Sequence, residues 1–365
     1  MAKHLVITGT SAMQAWDEGV GSYARTTRIS SPATFAASAE ELRDFTTLPQ
    51  GCTEPVQIMV GDRAKRLHTK RWDACLRVAP MPPKSLVDIG GDRCLITPEY
   101  FFLQVAPKLS VVRATLLGLE LCGWYSTLMS SPYKQYCDEV RRKNGGRLLS
   151  SPWPPTEWDM SLEHQKDLMD NGFVVRPPLT NTATLRRNLE SLLSSKSNSR
   201  ALVAAKLVVD SSRSPMESHL YARYCLPRRY GGLNLHPVEM NREFDLSADV
   251  VAATGIQKYS VDLFFPDGGV GVEYQGHHAH SGLSAEQRDR LKRNLLETQG
   301  VRVISIDKQQ YANEDMLDFY GREIAKSMGI AKWQLKPTAR EQLKRDALVR
   351  DLREWDFDLY RPDAR

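Results

Sequence analysis

Two acidic side chains, Asp262 and Glu273, stand eleven positions apart on either side of a turn sequence. Two carboxylates brought together in this way could hold a divalent cation. The stretch runs from Tyr259 through Asp262 to Phe265, turns through Pro266, Asp267, Gly268 and Gly269, and returns from Val270 through Glu273 to Gln275. Asp267-Gly268 predicts a two-residue hairpin turn, because such turns need positive φ and Asp-Gly supplies it at little cost. With those two residues as the loop, Pro266 faces Gly269 and paired positions sum to 535, which sets Asp262 opposite Glu273. Opposed like charges are unfavourable by about a few tenths of a kcal/mol or more. A cation such as Mg²⁺ would offset that, since it takes one or two carboxylates with water and substrate phosphate. The plainer reading of the same residues is the solvated side of an ordinary hairpin.

Alternation supports the register. Val261, Leu263, Phe265, Val270, Val272 and Tyr274 make one apolar face; Ser260, Asp262, Phe264, Gly271, Glu273 and Gln275 make the other. Side chains alternate with period two, so a slip of one residue would bury the acids.

The elements around the hairpin are readable from their ends. Ser214-Pro215-Met216-Glu217 opens a helix to about Cys225, with Ser at N-cap, Pro at N1 and Glu at N3 as a capping box. That gives Glu217 a structural role beside any chemical one. His219 follows Glu217 by two, a spacing that points the two side chains in different directions on a helix. After the hairpin, Ser284 caps a helix to Gln299, Gly300 ends it, and Val301–Ile306 reads as a strand. Strand, helix and strand imply a right-handed crossover and parallel pairing. Arg288, Arg290, Lys292 and Arg293 give this helix a basic character, with Leu291, Leu295 and Leu296 for the core. His277, His278 and His280 hold three of the eight histidines of the chain. His278 could serve as an acid or base near neutral pH; zinc competes weakly, since it wants four ligands and no cysteine is near; solvated loop histidines are the plain reading.

At 365 residues, 41% hydrophobic and 25% charged, the composition is that of a globular chain with room for two or three domains. No apolar run approaches a membrane span and the start lacks a signal-peptide core, so a cytoplasmic protein with no membrane partner is expected. Six cysteines, none in a CxxC pair, fit a reducing compartment. Net charge is only +5, yet residues 181–230 hold nine Lys and Arg against three acids. A basic stripe beside carboxylates suits a polyanion such as nucleic acid; a solvated helix face explains it equally well.

The division expected is an N-terminal α+β domain at 1–145, a helical linker at 146–200, a catalytic α/β domain at 201–330, and a charged C-terminal helix at 331–365. Val56–Val60 reads as a strand and Pro98–Trp124 as helical and mostly apolar. Lys143–Arg147 and Ser150–Pro155 mark a boundary by turn chemistry. Residues 156–200 read as helical, ending in a polar loop at Ser194–Ser199, and a further apolar helix follows from about Arg200 to Val209. In the last helix, from Thr338, the stripe Leu343, Ala347, Leu348, Leu352 and Trp355 is expected to pack on the body.

An acid on a helix, Asp on one hairpin strand, Glu-x-Gln on the next, then a basic helix and a strand: this order resembles the PD-(D/E)xK nuclease superfamily. Within it the chain is most similar to the DUF559 branch related to very-short-patch repair endonucleases. The resemblance covers about 214–310 and rests on Ser214–Glu217, Val261–Leu263, Val272–His278 and Arg288–Arg293. It implies a restriction-endonuclease-like mixed sheet flanked by helices. It also implies a metal site in which Asp262, Glu273 and the backbone carbonyl of Tyr274 hold Mg²⁺ or Mn²⁺, with Glu217 adding a third oxygen directly or through water. Gln275 and His278 would be catalytic, and Arg288, Arg290 and Arg293 would contact phosphates. One departure stands out: the superfamily's Lys in Glu-x-Lys is Gln275 here, which keeps a hydrogen bond and supplies no charge. Residues 1–145 more faintly resemble AbiEi-type antitoxin proteins, through Ile96–Glu99, Phe101–Leu109 and Glu120–Gly123.

The expectation is therefore a prokaryotic, Mg²⁺-dependent DNA endonuclease of phage defence, a toxin–antitoxin system or DNA repair. DNA is the expected partner, with a toxin or defence protein, or a second copy of the chain, as further ones. The alternative is a catalytically degenerate nucleic-acid-binding or antitoxin-type regulator.

Overall fold

The computed structural model describes residues 4–17, 19–20, 28–29, 39–49, 51–63, 67–77, 81–127, 173–190, 199–275, 283–331 and 336–353. They form a mixed α/β chain with two mixed sheets and, among the described residues, twelve α-helices. The chain divides into two compact units. One is built on residues up to Val208, and the other spans Val209–Glu354. The boundary expected at 200/201 thus falls at 208/209, and the C-terminal helix belongs to the second unit instead of standing apart.

The first unit holds β1 (Leu5–Ile7), α1 (Gly9–Asp17), β2 (Arg28–Ile29), α2 (Ala39–Arg43), β3 (Val56–Val60), β4 (Trp72–Leu76), β5 (Leu86–Gly90) and β6 (Arg93–Ile96). These are followed by α3 (Pro98–Val105), α4 (Val111–Leu121), β7 (Tyr125–Ser126), β8 (Val174–Val175), α5 (Thr182–Glu190) and α6 (Ser199–Leu207). Six strands form one sheet in the order β2-β5-β6-β1-β3-β4. β1 lies within it, parallel to β6 and antiparallel to β3. Its three residues are fully buried, which is why they read as an unbroken apolar run. The apolar stretch from Pro98 is two helices, not one. A 3₁₀ turn at Ala106–Lys108 interrupts it, since Pro107 has no N–H to give, and the Ser110 hydroxyl then caps α4 by accepting the Arg113 N–H at 3.0 Å. The expected helical linker begins, in its described part, with β8, which pairs with β7. The boundary motifs at 143–147 and 150–155 and the polar loop before Ser199 lie outside the described residues.

A buried polar knot holds the end of α4. Arg176, 2% exposed, pairs with Asp17 at 2.6 Å and donates to the carbonyls of Gly123, Pro177 and Glu120. The Glu120 carboxylate accepts from the Thr127 N–H at 2.8 Å and the Thr127 hydroxyl at 2.9 Å. Burial pushes the Glu120 pKa up to about 7, against the pull of Arg176. A carboxyl that binds its proton more tightly folded than unfolded gives a contribution present below the ordinary glutamate value of 4.5 and lost as pH rises through about 7. Glu120→Gln can keep these contacts, because the Thr127 hydroxyl can turn to accept from the amide. We expect this variant to match the wild type near pH 5 and to melt higher at pH 8, by roughly 5 °C. Thermal scans across pH check this; parallel curves would refute it.

The second unit holds α7 (Pro215–Cys225), β9 (Glu239–Asp245), α8 (Ala248–Thr254), β10 (Lys258–Phe265), β11 (Val270–Gln275), α9 (Leu283–Thr298), β12 (Arg302–Asp307), α10 (Lys308–Tyr311), α11 (Glu314–Ser327) and α12 (Ala339–Arg353). Its sheet runs β12-β11-β10-β9. β9, β10 and β11 are antiparallel neighbours, and β12 returns parallel to β11 after α9. Gly300, at φ 78, lets the chain leave α9.

The hairpin register is the one the sequence predicts: Leu263 pairs with Val272, Phe264 with Gly271 and Phe265 with Val270. The turn differs. Pro266–Gly268 forms a 3₁₀ turn and Gly269, not Gly268, takes the left-handed conformation at φ 56. Proline favours the first position of such a turn, and the four-residue loop preserves the pairing.

The alternation of the faces also differs. Val261, Leu263, Phe265, Val270 and Val272 are buried, as expected. Val261, however, clusters with Leu296 and Val301, and Phe264 packs against the same group. Residues three apart cannot share a face of a regular strand, so alternation breaks between them, at Asp262.

In α12, Thr338 and Glu341 exchange capping bonds, and Leu348 and Leu352 are buried. Leu343, expected in the same stripe, is 70% exposed; Trp355 lies outside the described residues.

Candidate active site

Asp262 sits where the sheet is interrupted. On the β9 side, Val261 pairs with Arg242 and Leu263 with Met240, while Asp262 and Asn241 between them do not pair. On the β11 side the ladder stops at Leu263 and Val272, so Asp262 and Glu273 are not a backbone pair. Instead, Asp262 Oδ2 accepts the Tyr274 N–H at 2.9 Å. A side chain has taken the place of a ladder bond, and this fixes the carboxylate beside the strand that carries Glu273.

Glu217 arrives from the first turn of α7. The Ser214 hydroxyl accepts the Glu217 N–H at 3.2 Å, the first half of the predicted capping box. The second half is replaced. Glu217 Oε2 accepts the N–H of Arg213, at 2.8 Å, and Asn241 Nδ2, at 2.6 Å. Buried Glu217 and half-buried Asp262 both hold their protons more tightly than usual. Burial is the main cause for each, and for Asp262 the negative fields of Glu217 and Glu273 add to it. Like charges that share a site repel, and for Asp262 this favours the neutral form.

The cations of the site were missed in the sequence. Lys292, from the inner side of α9, forms an ion pair with Glu273 Oε1. That oxygen is buried and makes no properly angled hydrogen bond besides this contact. Lys292 Nζ also lies 5.8 Å from the centre of the Tyr259 ring, a distance at which a cation is attracted to the ring face. Arg213 reaches Ser260 at 3.4 Å and Glu243 at 3.7 Å. Burial draws its pKa down, against the fields of Glu217, Glu243 and Asp262. No spacing rule announces Lys292, whose approach depends on how α9 packs over the sheet. Asn241 did carry a signal: asparagine within an otherwise extended stretch tolerates left-handed backbone.

The remaining expected residues divide. Gln275 is partly buried at the end of β11, aligned with Asp307 of β12. Arg290 and Arg293 are exposed on α9. His278 with its neighbours 276–282, and the side chain of Arg288, lie outside the described residues. His219 turns away from Glu217, bonding Tyr311 Oη at 2.8 Å, and burial lowers its pKa to about 4. The basic stretch 181–230 is no single stripe. Arg186 and Arg200 donate to backbone carbonyls of the first unit, whereas Arg223 and Arg228 pair with Glu314 and Glu341 in the second.

Among the described residues, no three Asp, Glu, His or Cys side chains are grouped so as to hold a metal ion by themselves. The donor set is instead that of a hard cation taking one or two carboxylates and filling its shell with water and phosphate. Asp262 and Glu273 are hard oxygen donors, and the buried Glu273 Oε1 is ion-paired to an ammonium and has no hydrogen-bond donor of its own, so the residues fit such an ion. Among the described residues, Cys52, Cys94 and Cys225 carry reduced thiols. Among the described residues no helix is long and apolar enough to cross a membrane. No protein-family model, no curated protein and no solved structure matches the chain.

Proposed function

We propose that the second unit is a restriction-endonuclease-like nuclease domain, similar to the DUF559 branch, that hydrolyses phosphodiester bonds in DNA with Mg²⁺ or Mn²⁺. The observation that carries this reading is the meeting of Asp262, Glu273 and Glu217 with one lysine, Lys292, paired to Glu273. The parallel β11-α9-β12 crossover that delivers the lysine supports it.

Asp262, Glu273 and the Tyr274 carbonyl would hold the cation. When bound, such an ion supplies Lewis-acid chemistry at phosphate and lowers the pKa of water. Lys292 brings a positive charge to the phosphate that Gln275 cannot bring, and it neutralises part of the carboxylate repulsion. Glu217, held by Arg213 N–H and Asn241, would add a third oxygen to the cation's shell, directly or through water. Arg290 and Arg293, exposed on the same helix as Lys292, bind phosphates flanking the reacting one.

Isothermal titration with Mn²⁺, with and without a DNA duplex, tests this. We expect binding in the wild type and its loss in the Asp262→Ala/Glu273→Ala double variant. Undiminished binding in that variant would sink the reading. Gln275 favours a second reading, a degenerate domain that binds DNA without cutting it. That reading expects DNA affinity that falls steeply with salt and needs no metal.

A further inference from the structure

Two residues that are not glycine take left-handed backbone beside the site: Ser211 at φ 75 and Asn241 at φ 50. They are joined to each other, since Asn241 Nδ2 donates to the Ser211 carbonyl at 2.8 Å. The same amide donates to Glu217 Oε2 at 2.6 Å. Asn241 lies in the middle of β9, 7% exposed, at the row where the β9–β10 ladder is broken opposite Asp262. Its flanking pairs keep one register, so no residue is inserted. The backbone has been turned over at a single position at the cost of a ladder bond. Such conformations persist only where their surroundings hold them, and they gather at functional sites.

The geometry points to Asn241 as a positioning residue of the carboxylate site: it turns the β9 backbone over to aim an amide donor at Glu217, fixing that carboxylate against Asp262 and Glu273 for cation binding. The choice of side chain follows from the chemistry. Only Asn, Asp and Gly accept left-handed backbone easily. Of these, only Asn offers a donor, and a carboxylate needs a donor. Arg213 N–H, at 2.8 Å, is the second donor to the same oxygen. The two bonds together fix Oε2 of the Glu217 carboxylate.

This rests on reading the carboxylates as a cation site, and one titration separates the two claims. Free Mn²⁺ is counted by electron paramagnetic resonance during titration of the full chain. The proteins are the wild type, Asn241→Gly, Asn241→Asp, Glu217→Gln and the Asn241→Gly/Glu217→Gln pair. Glycine removes the amide without straining the backbone, and aspartate keeps shape and conformation while removing the donor. Either variant that folds, by an unchanged cooperative melt, decides the matter. We expect each single variant to bind Mn²⁺ about tenfold more weakly, the size of a lost hydrogen bond to a charged group. The pair should bind no more weakly than Glu217→Gln alone, because the amide acts only through that carboxylate. A folded Asn241 variant with wild-type affinity, or losses that simply multiply in the pair, overturns the proposal and leaves the cation site standing. A wild type that takes up no Mn²⁺ overturns both.

Discussion

Asp262→Asn should lose about a thousandfold or more of Mg²⁺-dependent DNA cleavage, roughly 4 kcal/mol of transition-state stabilisation, without losing stability. The two effects have separate origins. The asparagine oxygen can still accept the Tyr274 N–H that Asp262 accepts at 2.9 Å, so the local join between β10 and β11 survives. The charge that disappears is one that burial and two neighbouring carboxylates already disfavour, as the raised Asp262 pKa records. Relieving that repulsion leaves the melting temperature at neutral pH equal to the wild type or higher. Loss of activity with gain of stability marks a residue kept for chemistry. Glu273→Gln should lose as much activity, but with less gain in stability, because it also gives up the ion pair to Lys292. Cleavage assays with purified protein and a thermal melt of each variant check both halves. Wild-type cleavage by Asp262→Asn would end the nuclease reading.

Lys292→Ala should lower kcat by about a hundredfold to a thousandfold, as removal of one preorganised transition-state charge does, with a smaller change in KM for DNA. Lys292 side-chain exposure is 23% and that of Glu273 is 13%, so the pair is partly solvated. Breaking it should cost stability by about 1–3 kcal/mol, less than for a fully buried pair. The sharper experiment moves the lysine. Position 275 is two residues beyond Glu273 on the same strand, and alternation puts both on one face. Lys292→Gln/Gln275→Lys therefore restores a cation beside Glu273 from the strand instead of the helix. We expect it to recover about tenfold over Lys292→Gln alone. Lys292→Ala with unaltered kcat would remove Lys292 from the mechanism.

These two residues differ in how far the sequence announces them. The register that brings Asp262 near Glu273 was legible because strand period and pairing sum fix each other, and a four-residue loop serves that sum as well as a two-residue one. Ser214, Pro215 and Glu217 announced the start of α7 through capping chemistry, which is local. Gly300 announced the end of α9 for the same reason. The break at Asp262 was not legible, since it depends on Asn241 finding partners in Ser211 and Glu217, 30 and 24 positions away. Nor was Lys292, one of several basic residues on α9. Which of them turns inward is decided by the packing of Leu296 against Val261. Leu343 shows the same limit: helical spacing alone placed it with Leu348, and the neighbours of α12 left it exposed.

The β11-α9-β12 crossover also bears on the order in which the site comes together as the chain folds. Asp262, Glu273 and Lys292 all lie within residues 258–307, from the start of β10 to the end of β12. Those contacts close short loops, so that stretch can form early as one cooperative piece. Glu217 joins across a much wider gap, through Asn241 and the turn before α7. In native-state hydrogen exchange the amides of Tyr274 and its strand neighbours should therefore open together, and the Arg213 amide, bonded to Glu217, should open separately and more easily. The site would then exist in two grades, a paired hairpin-and-lysine half that forms by itself and a complete one that waits for α7 to dock.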